Sequence, residues 1–173
     1  VGLCGMDGNM LHCNKLVAKN DLGYVGEIEK VDVNLINYLL DNGYIPVIAT
    51  IGMDKDGVAY NINADTVACK VAVELKAAKL ISMTDVAGLL RDKDDENTLI
   101  ADVEISEVEK LIEEGIISGG MIPKIKGCVE CIENGVNEAA IIDGRLPHSV
   151  LMEVFSDKGS GTLFYKENKN ESN

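Results

Sequence analysis

Apolar residues along the chain recur in two patterns, and between them they predict a layered α/β architecture. Leu35, Ile36, Leu39 and Leu40 follow the 3.6-residue period of a helix that Asp32 can cap, and Gly43 stands where a helix C-terminal glycine belongs. The run Ile45 to Thr50 is apolar without alternation, as suits a strand covered on both faces of a parallel sheet. Asp54-Lys55-Asp56-Gly57 reads as a turn between two hairpin strands, and Asp7-Gly8 as a hairpin signal inside Leu3 to Leu16. A second helix is expected from Ala64 or Asp65, with Val67, Ala68, Val71, Ala72 and Leu75 on one face.

That helix feeds a second buried strand, Lys79 to Met83. After a polar excursion over Arg91 to Asn97, Ser106 and Glu109 match a capping box opening a helix that stops at Gly115. Ser118-Gly119-Gly120 leads into a helix bearing Ile122, Ile125, Val129 and Ile132, which Gly135 can end. Ala139 to Ile142 is a third buried strand, Asp143-Gly144 turns, and Ser149 to Phe155 is a short helix. A strand at Thr162 to Tyr165 and a polar, frayed tail at 166–173 complete the pattern. Alternating helices and apolar strands argue for an α/β sandwich around a mainly parallel sheet, whose ligands gather beyond the carboxyl ends of the strands.

Length and charge narrow the function. A chain of 173 residues, 46% of them hydrophobic, is long enough to bury a core without disulfides or metal. Its net charge of -13 disfavours nucleic acid and anionic membranes as partners. No apolar run approaches the roughly 20 residues of a membrane helix. The start Val1-Gly2-Leu3-Cys4 has no basic n-region and no Met, so the expectation is a chain that begins partway through a longer protein, without a signal peptide. Five cysteines without a secreted spacing suit reduced thiols in the cytoplasm. Cys128 and Cys131 form a CxxC inside a predicted helix, with no second pair or nearby histidine to complete a zinc site.

Three clusters carry candidate chemistry. In Asn61-Ile62-Asn63-Ala64-Asp65 an extended backbone puts Asn61 and Asn63 on one side and leaves Asp65 to cap the next helix. Two amides and a carboxylate then surround a helix N-terminus, where an anion can sit; a capped helix with turn-forming asparagines is the simpler alternative. In Ser118-Gly119-Gly120-Met121-Ile122-Pro123-Lys124, small residues admit a ligand to the backbone. Lys124 stands in the first helical turn, where the dipole disfavours a cation, which makes sense if it reaches a phosphate; an ordinary surface lysine is the alternative. Thr84-Asp85-Val86-Ala87-Gly88-Leu89 follows a strand end and suits either nucleotide contacts or a plain turn. Asp92 to Glu96 starts like a calcium loop but has Asn97 in place of its turning glycine and Val103 at the bidentate position. Neither GxxxxGK[ST] nor GxGxxG occurs.

Together these segments resemble the acetylglutamate kinases of the amino acid kinase family. The resemblance rests on Gly43 to Ile48, Tyr60 to Asp65, Met83 to Leu90, Gly119 to Lys124, Ile141 to Arg145 and Gly159 to Leu163, in the family's order and spacing. It implies a three-layer αβα sandwich, phosphorylation of the γ-carboxylate of N-acetyl-L-glutamate by ATP with Mg2+ in arginine biosynthesis, and a cytoplasmic, homo-oligomeric whole enzyme. It further implies that Lys124 stabilises the transferred phosphoryl, that Asp65 organises the catalytic lysines, and that Asn61 and Asn63 bind acetylglutamate. Thr84, Asp85, Val86, Gly88, Leu89 and Leu90, with Ile116, Ile117, Ser118, Gly120 and Met121, would hold ATP. No protein metal ligand is implied.

The family's Lys-x-Gly-Gly strand-loop, its glycine-rich loop and its substrate-clamping arginine are missing. The resemblance therefore implies a C-terminal nucleotide-binding portion over 1–165, with 1–30 as a connecting hairpin region and little kinase activity of its own. Pro147-His148-Ser149 to Glu153 and Gly159-Ser160-Gly161 resemble the segment that helps bind arginine in inhibited members. Another family member with a related acidic substrate, or a non-catalytic nucleotide-binding module, are the alternatives.

Overall fold

The computed structural model describes residues 1–156 and 159–167, so six residues of the expected tail, 168–173, lie outside the described residues. The chain divides into two compact units, Val1–Leu75 and Lys76–Asn173.

In the first unit, strand β1 (Gly2–Cys4) pairs in parallel with β4 (Val47–Ala49). A four-stranded mixed sheet runs in the order β3 (Gly26–Val31), β2 (Leu11–Lys15), β5 (Ile51–Met53) and β6 (Ala59–Asn61). Met10, Leu11, Cys13, Ile36, Tyr60, Ile62 and Val67 form its core, between the sheet, helix α1 (Asn34–Asp41) and helix α2 (Ala64–Glu74). The 54–57 turn closes the β5–β6 hairpin as expected, with Asp54 Oδ1 accepting from the N–H groups of Asp56 and Val58 at 2.9 Å. Gly43, at φ 77°, ends α1 as the pattern requires.

Three local expectations change. Asp7-Gly8 forms a 3-10 turn, not a hairpin, because β1 and β2 leave it for different sheets. The α2 cap is Asn63, whose Oδ1 accepts from Thr66 N–H at 3.1 Å, while Asp65 lies inside the first turn. The apolar run at 45–50 is not covered on both faces: Val47 is 65% exposed in a sheet that has two strands, β1 and β4, among the described residues.

The second unit has the sheet order β10 (Asp102–Glu104), β12 (Gly161–Tyr165), β11 (Glu138–Asp143), β7 (Lys79–Thr84). Two of its three pairings, β10 with β12 and β11 with β7, are parallel, and β11 with β12 is antiparallel. A small hairpin, β8 (Leu89–Leu90) with β9 (Leu99–Ile100), stands beside it. Ala139, Ile141, Phe164 and Val103 pack with helix α3 (Val108–Glu113) and helix α4 (Met121–Glu133) through Leu111, Ile125, Cys128 and Ile132. Leu80 joins that core, so its neighbour Lys79 points to the opposite sheet face. There Lys79 Nζ meets Glu153 Oε1 of helix α5 (Ser149–Phe155) at 2.9 Å, which places α5 on that second face. Helix, sheet and helix thus make three layers within this unit.

Strand β11 is buried throughout, as its Ala-Ala-Ile-Ile run predicts, whereas β7 is a half-buried edge strand with Met83 exposed. The expected Ser106–Glu109 capping box does not form. Ser106 instead donates both its N–H and its hydroxyl to Glu104 in a 3-10 turn that precedes α3. The Asp92–Asn97 stretch is a run of Asx turns in which Asp92 and Asp95 accept from the N–H groups of Asp94 and Asn97. Cys4 and Cys13 are reduced thiols, whereas Cys69 and Cys131 stand in disulfide linkage, so the expectation of five reduced thiols fails at those two positions.

Candidate functional site

Strands β7 and β11 run in parallel with Thr84 opposite Asp143, so the segments after them leave the same end of the sheet side by side. Gly144 N–H donates to the Thr84 carbonyl at 2.8 Å and binds the two exits together. Thr84 Oγ1 accepts from Val86 N–H at 3.1 Å, a hydroxyl-capped turn that sends the Asp85 and Val86 side chains outward. Gly88 has φ 139°, a conformation reserved for glycine, and an added Cβ would lie 2.8 Å from Thr162 Oγ1. Leu89 is buried in the core and its N–H donates to the same Thr162 hydroxyl at 2.8 Å. Of the 84–90 segment, then, Asp85 and Val86 face outward, Thr84, Ala87 and Leu90 are half-buried, and Gly88 and Leu89 are buried anchors.

Asp143 is buried at the end of β11 beneath the Arg145 side chain. Its carboxylate accepts from Arg145 Nε at 3.0 Å, from the guanidinium at 2.8 Å and from Arg145 N–H at 2.8 Å. The guanidinium hydrogen bonds, then the backbone one, hold the carboxyl below its ordinary value.

Beyond α3, Ile117 is buried in the core and its N–H donates to the Leu111 carbonyl at 3.1 Å. That bond fixes the approach of Ile116 to Ser118, so a ligand there meets backbone and the Ser118 side chain. At Gly119 and Gly120 an added Cβ would meet nothing within 4 Å, and Gly119 has φ 56°. Gly120 caps α4 without a side-chain hydrogen bond. Met121 and Ile122 donate their N–H groups to the Ser118 and Gly119 carbonyls, and Pro123 has none to give. The helix therefore offers an anion its dipole and its open glycine approach more than its first amides. Lys124 is half-buried in the first turn.

In the first unit the Asn61–Asp65 segment has the alternation its sequence implies. Ile62 is buried and its N–H donates to the Thr50 carbonyl at 2.9 Å, which leaves Asn61 and Asn63 exposed on either side of it. Asn61 N–H donates to Tyr24 O at 2.9 Å. Asn63 is already committed as the α2 cap, and Asp65, exposed in the first turn, complements the helix dipole.

Sequence reasoning passed over Thr162, Arg145 and the Lys79–Glu153 pair as organising residues. The signal for Thr162 was available: a hydroxyl inside a buried strand must find hydrogen-bond partners. Glu153, buried on a short helix, is the same kind of signal.

The family model described as the amino acid kinase family matches residues 1–143. The chain is 60% identical over 167 residues to the acetylglutamate kinase of Actinobacillus pleuropneumoniae serotype 5b, covering 96% of this chain and 58% of that protein. Against the acetylglutamate kinase of Clostridioides difficile strain 630 it is 58% identical over 170 residues, 98% of this chain and 59% of that one. The chain thus spans under three fifths of the length of these relatives. Among solved structures, N-acetylglutamate synthase from Neisseria gonorrhoeae, complexed with coenzyme A and L-arginine, superposes with a TM-score of 0.82 at 29% identity, over 96% of this chain and 38% of that one. The chain belongs to the amino acid kinase family.

Proposed function

We propose that this chain supplies the ATP-binding portion of a kinase that phosphorylates the γ-carboxylate of N-acetyl-L-glutamate, in arginine biosynthesis. The observation that carries the reading is its identity of 60% to an acetylglutamate kinase over nearly all of its length. The local geometry agrees. Two parallel strand ends, a Thr84–Ala87 turn with Asp85 and Val86 facing outward, and a glycine-lined helix N-terminus with a lysine in its first turn are the parts a nucleotide phosphate tail needs.

Transfer of a phosphoryl group to a carboxylate is governed by positioning and by cations facing the developing charge. In this reading Lys124 neutralises the transferred group, and Asp65 takes the carboxylate role that organises the catalytic lysines. Asn61 donates its amide to the acetylglutamate, with Asn63 beside it holding the helix end. The backbone of Thr84 to Leu90 and of Ile116 to Met121 holds ATP. Mg2+ comes with the nucleotide, whose phosphates supply most of its ligands; no group of three or more His, Cys, Asp or Glu side chains is placed to hold a metal among the described residues. On the same resemblance the whole protein is cytoplasmic and homo-oligomeric.

L-arginine is the proposed inhibitor. This rests on the arginine complex of the Neisseria synthase and on a buried polar cluster around α5. There Glu153 accepts from Ser160 N–H at 2.9 Å, and the buried Ser149 hydroxyl has no hydrogen-bond partner among the described residues.

Calorimetric titration of the chain with MgADP tests the reading. Saturable binding, weakened about tenfold or more by Lys124→Ala, is expected for a lysine that meets phosphate. No binding to a chain whose circular dichroism is native overturns it. In the same calorimeter L-arginine should bind the native chain and lose that binding in Glu153→Gln; absence of heat drops the inhibitor from the proposal.

A further inference from the structure

The 84–90 segment is held at both ends by different devices. Its start is fixed to the sheet by Gly144 N–H on Thr84 O. Its end is fixed by a single side chain, Thr162, which is completely buried on β12. The Thr162 hydroxyl accepts from Leu89 N–H at 2.8 Å and donates to the Ile100 carbonyl at 2.7 Å. Leu89 and Ile100 are opposite partners in the β8–β9 hairpin, so one hydroxyl ties both of its strands to the main sheet. A further bond, Leu163 N–H on the Ala101 carbonyl at 2.7 Å, holds the strand after β9 against β12.

The fit is reciprocal. An added Cβ at Gly88 would lie 2.8 Å from Thr162 Oγ1 and 2.9 Å from Leu99 Cδ1, so the loop descends onto the hydroxyl with no room for any other residue there. Gly88 also carries φ 139°, so the strain of any other residue at that position would press against the same contact. Around Thr162, β12 is equally constrained, because a side chain at Gly161 would run into the Ile141 carbonyl.

We propose that Thr162 is a positioning residue for nucleotide binding. Through Leu89 N–H it sets the height at which the Thr84–Ala87 turn stands above the strand ends, without touching the nucleotide itself. The inference rests on the nucleotide reading of that turn. Its hydroxyl and its methyl serve different ends: the methyl fills the β12 environment, and the hydroxyl holds the loop.

Thr162→Val keeps the shape and removes the hydroxyl, whereas Thr162→Ser keeps the hydroxyl and removes the methyl. Loss of a buried hydrogen bond that positions a loop is expected to weaken MgADP binding about fivefold to tenfold in Thr162→Val. Thr162→Ser should bind within about twofold of the parent chain while its urea midpoint falls. A merely structural residue would leave both variants binding MgADP like the parent chain once folded. Amide exchange at Leu89 should accelerate in Thr162→Val and not in Thr162→Ser. If Thr162→Val shows no cooperative unfolding, Gly88→Ala, which retains the hydroxyl and forces the loop off it, should weaken binding in the same way.

Unchanged MgADP affinity in folded Thr162→Val, or in Gly88→Ala where that variant is used, overturns the inference and leaves the nucleotide reading standing. A parent chain that is folded but does not bind MgADP overturns both.

Discussion

Asp143 shows how much a single side chain in the strand-end cluster is asked to do. Its carboxyl is buried, yet it stays charged because Arg145 wraps back over it with its side chain and its backbone N–H. Those bonds lower its pKa, so the native state releases this proton more readily than the unfolded chain does. The resulting stability is fully present above the ordinary aspartate value of 3.8 and is lost as pH falls through the lower native value. Asp143→Asn cannot titrate. Its urea midpoint should therefore sit below the parent's at pH 7 and should decline less steeply than the parent's below pH 3.8. Parallel acid limbs for the two proteins would show that Arg145 does not stabilise the charged form. The sequence showed Asp143-Gly144-Arg145 as a turn at a strand end, and it is one. It did not show that the arginine folds back on its own turn, because a guanidinium at i+2 reads equally well as a ligand-facing cation.

At the level of elements, periodicity located what long, strongly patterned segments encode. Helix α5 runs over Ser149–Phe155 as expected, and β11 contains the whole Ala139–Ile142 run. Strand β3 was passed over because Glu27, Glu29 and Lys30 give it no apolar face rich enough to be noticed, and β8 and β9 because two residues hold no period. Caps were less legible than helices. Asn63 and Asp65 are both good N-terminal residues, and only the backbone decides between them: Asn63 takes the non-helical position with φ -56° and ψ 129°. Because Asn63 Oδ1 accepts from Thr66 N–H, Asn63→Ala should lower unfolding free energy by about 1 kcal/mol, and Asn63→Ser should recover most of it. Urea denaturation followed by circular dichroism measures both. Equal stability of the alanine variant and the parent would mean that the asparagine is there only for a ligand.

Across the whole molecule, the apolar runs correctly announced the fold class but overstated burial. A run without alternation was read as a strand covered on both faces, which holds for β11 and fails at Ile45 and Val47, exposed by 78% and 65%. Hydropathy records how apolar a segment is and carries no information on which neighbours complete its cover. The same holds for α5, where Glu153 and Ser149 face inward while Leu151, Val154 and Phe155 are exposed, Phe155 by 81%. A helix that presents its polar side chains to the sheet and apolar ones outward reverses the usual surface pattern. Contiguous apolar surface of this kind is uncommon on a monomeric protein. Its accessibility can be read with a dye that fluoresces on apolar surface. The native chain should give a clear signal with anilinonaphthalene sulfonate at neutral pH, and the double substitution Leu151→Gln with Phe155→Gln should remove a substantial part of it. The unfolding free energy of that variant, from urea denaturation, should stay within about 0.5 kcal/mol of the parent's, since neither side chain leaves a buried site. A native chain that leaves the dye dark, or a variant with undiminished signal, would place the accessible apolar surface elsewhere than on α5.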